Sequence, residues 1–272
     1  MKEVALEGFA PVEGGRIYYE VRGEGPPLVL IHAGLWDGRI WDAQMDAFGS
    51  RYKVVRYDLR GFGRSDRLTA SFSHRQDLAD LMAFLGIESA ALVACSIGGS
   101  LAIDFALERP GMIDALVLVA PGLSGDDTPD DDHTAGLVDQ AEKALEAGDL
   151  VKAVDLQLQV WTPLQTDPDV DRRIREIAME NQHVDTLDWS LSRRLEPPAV
   201  GRLSEIRAPT LVMVGDRDAP VMETLVEKVV AGIPGARRVI ISGADHLPNM
   251  RQPDVFNRHV LDFLDEALSR GE

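Results

Sequence analysis

Short apolar runs alternate along this chain with segments whose apolar residues recur at helical spacing, and this alternation limits the folds the chain can adopt. The apolar runs lie at 28–31, 90–93, 113–120 and 209–214. Strands that are apolar at nearly every position are typical of parallel sheets buried on both faces. The sequence therefore predicts an α/β fold with a mostly parallel central sheet and helices on both faces.

The alternation stops between 122 and 203, where the apolar spacing is helical throughout. An acidic stretch that is hostile to strands opens this segment, and the pair Asp167-Pro168 is typical of the start of a helix. We expect an all-helical cap of about four helices at 123–203. It would be inserted in a core formed by residues 1–122 and 204–272. An N-terminal hairpin is predicted from residues 3–13 and 15–22.

The most informative local pattern is the hexapeptide 94–99, which follows an apolar run and opens a helical segment. Ser96 lies there with the small residues Ala94 and Gly98 two positions away on either side. A sharp turn from strand to helix that exposes a serine needs small residues at both positions, because larger side chains would collide with the neighbouring backbone. When the same pattern is centred on Cys95, larger residues lie at the two positions that must be small. Cys95 is therefore not a candidate nucleophile, and we expect its thiol to be buried and inert. Ser96 is the candidate nucleophile, with helix capping as the structural alternative.

Two later loops supply the residue types that an activated serine requires, in the chain order Ser, acid, His. The strand at 209–214 leads into Asp216 and Asp218, and either carboxylate could orient a histidine. The next strand leads into His246, whose alternative is an ordinary loop histidine. The imidazole would take the serine proton and later return it to the leaving group. Three separate loops thus predict a Ser-His-Asp triad.

These loops make the chain resemble capped members of the α/β-hydrolase fold superfamily along essentially its whole length. The resemblance is densest at 30–34, at 57–65, at the hexapeptide 94–99 and in the two later loops. It implies the fold predicted above, with a serine hydrolase site under the cap. The usual His-Gly pair after the first parallel strand is here His32-Ala33, and we expect His32 to brace this loop.

The resemblance also assigns roles within the site. It favours Asp218 over Asp216 as the acid, with Asp216 as a turn residue. The backbone N–H groups of Gly34 and Ile97 would form the oxyanion hole, the pair of donors that stabilises the negative oxygen of a tetrahedral intermediate. No cofactor is implied, and the sequence contains neither a phosphate-binding loop pattern nor a His/Cys cluster at metal-ligand spacing.

The activity predicted from these features is cleavage of small to medium carboxylic esters through an acyl-enzyme. A serine at the nucleophile position argues against haloalkane dehalogenase and epoxide hydrolase chemistry. The same triad serves lactonases (3-oxoadipate enol-lactonase-like ones included), C–C bond hydrolases, peptidases and perhydrolases, so these alternatives stay open. A ligand-binding protein on the same fold is the non-enzyme alternative.

The walls of the pocket are predicted less firmly than its chemistry. Trp36, Trp161 and Trp189 are candidates for lining a pocket under the cap, or equally for its core. An anionic lactone would need a cationic anchor, and the available arginines are Arg172, Arg173, Arg175, Arg193 and Arg194.

Charge and cysteine content narrow the partners. With 28 basic and 45 acidic residues the formal net charge is −17, which argues against nucleic acid and anionic membranes as partners. A single cysteine cannot form an internal disulfide, and the first 15 residues show no signal-peptide pattern. We therefore expect a cytoplasmic protein acting on a small-molecule ester or lactone, while its oligomeric state cannot be predicted.

Overall fold

An eight-stranded sheet forms the centre of the protein in the computed structural model, which describes residues 6–269. The strands are β1 (Leu6–Val12), β2 (Gly15–Arg22), β3 (Pro27–Ile31), β4 (Lys53–Tyr57), β5 (Ala90–Cys95), β6 (Ile113–Val119), β7 (Thr210–Gly215) and β8 (Arg237–Ile241). Their order is β1-β2-β4-β3-β5-β6-β7-β8. The pairs β1–β2 and β2–β4 are antiparallel and the remaining pairs are parallel. The prediction of a mostly parallel sheet is confirmed, as is the hairpin from Leu6 onward; its residues 3–5 lie outside the described residues.

Helices cover both faces of the sheet, as predicted. They are α1 (Asp42–Phe48), α2 (His74–Phe84), α3 (Ile97–Glu108), α4 (Asp132–Glu146), α5 (Leu150–Trp161), α6 (Pro168–Glu180), α7 (Pro220–Gly232), α8 (Pro248–Arg251) and α9 (Pro253–Leu268). Successive residues of β5 belong to different hydrophobic clusters: Leu92 packs with α2, α3 and α7, whereas Val93 packs with α1 and α9. Because both faces are buried, every position of this strand is apolar or small.

The segment between β6 and β7 contains α4, α5 and α6, and we call residues 123–203 the helical insertion. Asp167 caps α6 and Pro168 is its first residue, as predicted. The expectation of about four helices is wrong within the described residues. After α6 the chain forms only the short 3₁₀ helices Val184–Thr186, Trp189–Leu191 and Ala199–Gly201. The prolines at 197 and 198 prevent a longer helix there, because proline lacks the N–H that a helix interior requires.

No helix in the range 6–269 is both long enough and apolar enough to cross a bilayer.

Candidate active site

Ser96 lies on a strained turn between β5 and α3. Its backbone has φ 55° and ψ −115°, a conformation that residues with side chains rarely adopt. The Ser96 N–H donates to the Val119 carbonyl of β6 over 2.9 Å, which anchors the turn to the sheet. A Cβ on Gly98 would lie 2.6 Å from the His32 carbonyl oxygen, so only glycine fits at this position. The crowding predicted around the turn is therefore present, and Ser96 lines a cavity at the carboxyl edge of the sheet.

Gly34 and Ile97 adjoin one another beside this turn. Both line the cavity, and a Cβ on Gly34 would come within 3.7 Å of the Ile97 side chain. Ile97 begins α3, so its N–H has no acceptor in the preceding turn of a helix. Within the described residues, neither backbone N–H donates a hydrogen bond. Two adjacent unused donors next to Ser96 are what an oxyanion hole requires.

His32 braces the loop that carries Gly34. Its Nδ1 lies 2.8 Å from the Ala33 carbonyl oxygen, and the Leu59 N–H donates to its Nε2 over 2.9 Å. Complete burial lowers the pKa of His32 to about 4, so the ring is neutral and donates from Nδ1. The structure therefore gives this histidine the bracing position that the sequence predicts.

The structure brings His246 and Asp218 together, and Asp216 lies elsewhere. His246 Nδ1 is 3.0 Å from both carboxylate oxygens of Asp218, and the two side chains are only 2% exposed. Asp216 instead accepts hydrogen bonds from the Ser242 hydroxyl (3.0 Å) and the Gly243 N–H (2.7 Å), which closes the turn after β8. Asp218 and His246 follow β7 and β8, so adjacent parallel strands deliver them to one edge of the sheet.

His246 and Ser96 line the same cavity. No hydrogen bond between the Ser96 hydroxyl and the imidazole is present in the described part of the chain. Such contacts are often loose in the absence of substrate and tighten when it binds.

A buried ion pair that the sequence analysis missed supports the histidine loop. Asp245 is fully buried and lies 3.0 Å from the guanidinium of Arg251. Arg251 also donates to the Leu164 carbonyl in the helical insertion over 2.8 Å. The Trp161 ring, from the same insertion, lies 4.8 Å from the His246 ring, and its carbonyl accepts the His246 N–H over 3.2 Å. The contacts to Leu164 and Trp161 join segments far apart in sequence, so no local pattern signals them.

The cavity has a volume of about 740 Å³ and lies between the core and the helical insertion. Trp36, Trp161 and Trp189 all line it, and all three also pack in or against the hydrophobic clusters, so they occupy both positions considered for them. Polar groups that the sequence analysis did not assign to the pocket also line it, namely His74, Arg75, Asp104, Gln157 and Asp185. His74 was predicted only as a helix start; it is the first residue of α2, and burial lowers its pKa to about 3.

The five candidate arginines divide into two groups. Three of them lie outside the cavity lining and pair with aspartates. Arg172 pairs with Asp169, Arg173 with Asp42 and Arg175 with Asp155. Arg193 and Arg194 line the cavity, and Arg193 pairs with Glu13 over 2.8 Å.

Cys95 is fully buried behind the site, with its Sγ 3.7 Å from the His246 carbonyl oxygen. Burial raises the pKa of this thiol well above its ordinary value, so the thiolate is disfavoured.

The chain matches the alpha/beta hydrolase fold family over residues 26–253 and belongs to that family. It is 30% identical to 2-hydroxy-6-oxononadienedioate/2-hydroxy-6-oxononatrienedioate hydrolase of Burkholderia vietnamiensis, over 92% of this chain and 91% of that protein. It is 25% identical to carboxylesterase YbfK of Bacillus subtilis, over 89% of this chain and 81% of that protein. Among solved structures, the thermophilic esterase of Thermogutta terrifontis superposes with a TM-score of 0.81 at 24% identity, over 96% of this chain and 99% of that chain.

Proposed function

We propose that this protein is a serine hydrolase that cleaves small to medium carboxylic esters, with Ser96, His246 and Asp218 as its triad. The observation that carries the proposal is the Asp218–His246 pair, which faces the same cavity as a serine on a strained turn. Gly34 and Ile97 supply the oxyanion hole in this proposal. The helical insertion acts as a cap on a core formed by 1–122 and 204–272.

The proposed reaction runs through an acyl-enzyme. Ser96 Oγ attacks the ester carbonyl carbon while His246 Nε2 accepts its proton, and Asp218 stabilises the imidazolium that forms. The N–H groups of Gly34 and Ile97 donate to the oxyanion, each such donor being worth roughly 3–4 kcal/mol in the transition state. Collapse breaks the bond to the alcohol oxygen, which takes the proton from His246. Water then attacks the acyl-enzyme with His246 again as base, and the carboxylic acid leaves.

C–C bond hydrolysis is the second candidate, favoured by the similarity to the Burkholderia vietnamiensis hydrolase. The same serine and histidine could act on a ketone if the pocket can protonate and release a carbon leaving group. Lactones are a third substrate class that this site could cleave, since ring opening uses the same acyl transfer.

Hydrolysis of p-nitrophenyl acetate and butyrate by the purified protein, with Ser96→Ala alongside, tests the proposal. We expect turnover that disappears in the variant. If neither ester is turned over, a 2-hydroxy-6-oxo dienoate is tried next, and its cleavage is measured by the loss of its absorbance. Cleavage of that substrate alone would replace ester hydrolysis by C–C bond hydrolysis. Equal activity of both proteins would remove Ser96 from the mechanism.

A further inference from the structure

One carboxylate in the cavity wall has no cationic partner among residues 6–269. Asp185, on the 3₁₀ helix Val184–Thr186, accepts a single side-chain hydrogen bond, from Gln157 Nε2 over 2.8 Å. Burial raises the pKa of this carboxyl, and no basic group opposes that effect. By contrast, Asp155 on the outer side of the same insertion pairs with Arg175 over 2.9 Å. Asp185 therefore bears a desolvation cost that one neutral hydrogen bond offsets only in part.

Aromatic rings line the same cavity as this carboxylate. Trp189 lines the cavity and donates its indole N–H to the Val184 carbonyl, beside Asp185. Phe62 lies 5.6 Å from the Trp189 ring. Trp161 is one helical turn after Gln157 on α5, and residues four apart share a helix face. Since the indole N–H of Trp189 is already bonded, its ring face is what remains to interact with a ligand.

The arginines of the cavity do not neutralise Asp185. Arg75 donates to Glu108 over 3.3 Å and to the Arg193 carbonyl over 3.2 Å. Arg193 pairs with Glu13. Arg194 is exposed, between the 3₁₀ helices Trp189–Leu191 and Ala199–Gly201, and does not pair with Asp185. The combination of an unneutralised carboxylate with tryptophan faces is the chemistry that recognises organic ammonium ions, through charge and cation–π attraction together.

We propose that Asp185, Gln157, Trp161 and Trp189 form a subsite for an organic cation, so that esters with an ammonium group in the alcohol portion are preferred substrates. The preference for an ester rests on the proposed function, whereas the cation subsite does not. The alcohol portion is assigned because Trp161 contacts His246, the group that protonates the leaving alcohol. The acidic surface, with a net charge of −17, also attracts such cations to the cavity.

Binding of three small alcohols tests the subsite without turnover. The probes are choline, its neutral carbon isostere 3,3-dimethylbutan-1-ol and the anionic isethionate, each titrated against intrinsic tryptophan fluorescence. We expect choline to bind roughly tenfold more tightly than the neutral isostere, because its quaternary ammonium, which has no N–H to donate, gains Coulombic attraction to the carboxylate and cation–π attraction to the rings. Asp185→Asn should remove most of this difference and leave only the cation–π part supplied by the tryptophans, while Asp155→Asn, which removes a charge outside the cavity, should keep the difference in full.

Equal binding of choline and its isostere by the wild type, or tighter binding of isethionate, would overturn the subsite. Discrimination that persists undiminished in Asp185→Asn would overturn the assignment to Asp185. Unchanged affinity for the neutral alcohol in that variant confirms that it is folded; if it does not fold, Asp185→Ser takes its place.

A second arm separates this inference from the proposed function. Butyrylcholine and 3,3-dimethylbutyl butyrate are compared by acid release at constant pH, and kcat/KM should favour the cationic ester roughly tenfold. Asp185-dependent choline binding with no cleavage of either ester would contradict the ester-hydrolase proposal and support the cation subsite.

Discussion

The two walls of the cavity are built differently. The core wall carries Ser96, Asp218 and His246 on turns that follow β5, β7 and β8, and every residue of β5 and β7 is buried. The insertion wall is largely exposed: α5, which contributes Gln157 and Trp161 to it, buries only four of its twelve residues. A sheet buried on both faces fixes the reacting groups, whereas the insertion supplies aromatic and polar side chains that can change without moving them. In the function proposed above, chemistry and selectivity are therefore held by separate parts of the molecule.

The two walls meet at a few buried polar contacts. Asn181, at the end of α6, donates to Asp37 over 2.8 Å and accepts the Gly63 N–H over 2.8 Å. Asp58 lies in the same junction, where its carboxylate accepts the N–H groups of Gly38 and Arg64, each over 2.9 Å. Asp37, Asp58 and Asn181 line a cavity of about 270 Å³ there. This junction, rather than a large apolar surface alone, orients the insertion over the site.

The largest expected effect separates the two aspartates of the loop after β7. Asp218→Asn should lower kcat on an ester that the wild type cleaves by about 10³–10⁴-fold, because the histidine loses the partner that fixes its tautomer. Asp216→Asn should leave kcat within a few-fold, since Asp216 only closes a turn. Steady-state kinetics of both variants measures these effects. A larger loss of kcat in Asp216→Asn than in Asp218→Asn would assign the role of the acid to Asp216.

An added methyl group should lower the free energy of unfolding far more in the core wall than in the helical insertion. In Gly98→Ala the new Cβ would approach the His32 and Ile31 carbonyl oxygens to 2.6 and 2.8 Å, and backbone atoms cannot move aside cheaply. We expect a loss of about 3 kcal/mol or more in the free energy of unfolding. Gly136→Ala, in the middle of α4 with nothing within 4 Å, should instead stabilise by up to about 1 kcal/mol. Urea unfolding measures both, and similar losses in the two variants would refute the contrast.

The junction should make stability fall as pH rises through mildly acidic values. Burial, and then the nearby Asp37 carboxylate, raise the pKa of Asp58 to about 6. The folded protein therefore holds a proton that the unfolded chain releases near its ordinary value of 3.8, so rising pH favours unfolding between about 4 and 6. This loss of stability amounts to about 3 kcal/mol and is complete once the pH exceeds the pKa of Asp58 in the folded protein.

Urea unfolding of the wild type and Asp58→Asn at intervals from pH 4 to 7 measures this contribution. The stability of the wild type relative to the variant should decrease across that window. A relative stability that is flat, or that increases with pH, would contradict the account of Asp58.

Removing the junction amide should loosen the insertion with a smaller effect on the core. Asn181→Ala leaves the Gly63 N–H without its acceptor and removes one donor from Asp37, which keeps Arg39, and we expect a loss of about 2 kcal/mol in the free energy of unfolding. KM should rise more than kcat falls, because the wall of the pocket is displaced and the triad is not. Urea unfolding and ester kinetics check this, whereas a fall in kcat with KM unchanged would mean that the junction positions the reacting groups.

The same contrast explains how much of the molecule could be predicted from its sequence. The core could be predicted, because a strand buried on both faces must be apolar at each position and the turn at Ser96 tolerates only small neighbours. The three residues proposed as the triad could also be selected, since chain order and strand ends bring Ser96, Asp218 and His246 to one edge. These are local constraints, and local patterns in the sequence reflect them.

The insertion wall could not be predicted in the same way. Its contacts join residues distant in the chain, such as Gln157 with Asp185 and Asn181 with Asp37. Apolar periodicity locates α4, α5 and α6, yet it does not tell which side chains face the cavity. The division of the arginines, with Arg193 and Arg194 in the lining and Arg175 outside it, depends on packing that no spacing rule encodes.

The central claim is that Ser96 is a nucleophile activated by His246, and covalent labelling tests it most directly. The folded wild type and Ser96→Ala are treated with a fluorophosphonate, digested, and mapped by mass spectrometry, with heat-denatured wild type as the control for non-specific labelling. The account predicts a single phosphonyl group on the peptide containing Ser96 in the folded wild type, and none in the variant or the denatured protein. Absence of the label at Ser96 in the folded wild type would contradict the account. So would a label on another residue that is found both in the wild type and in Ser96→Ala.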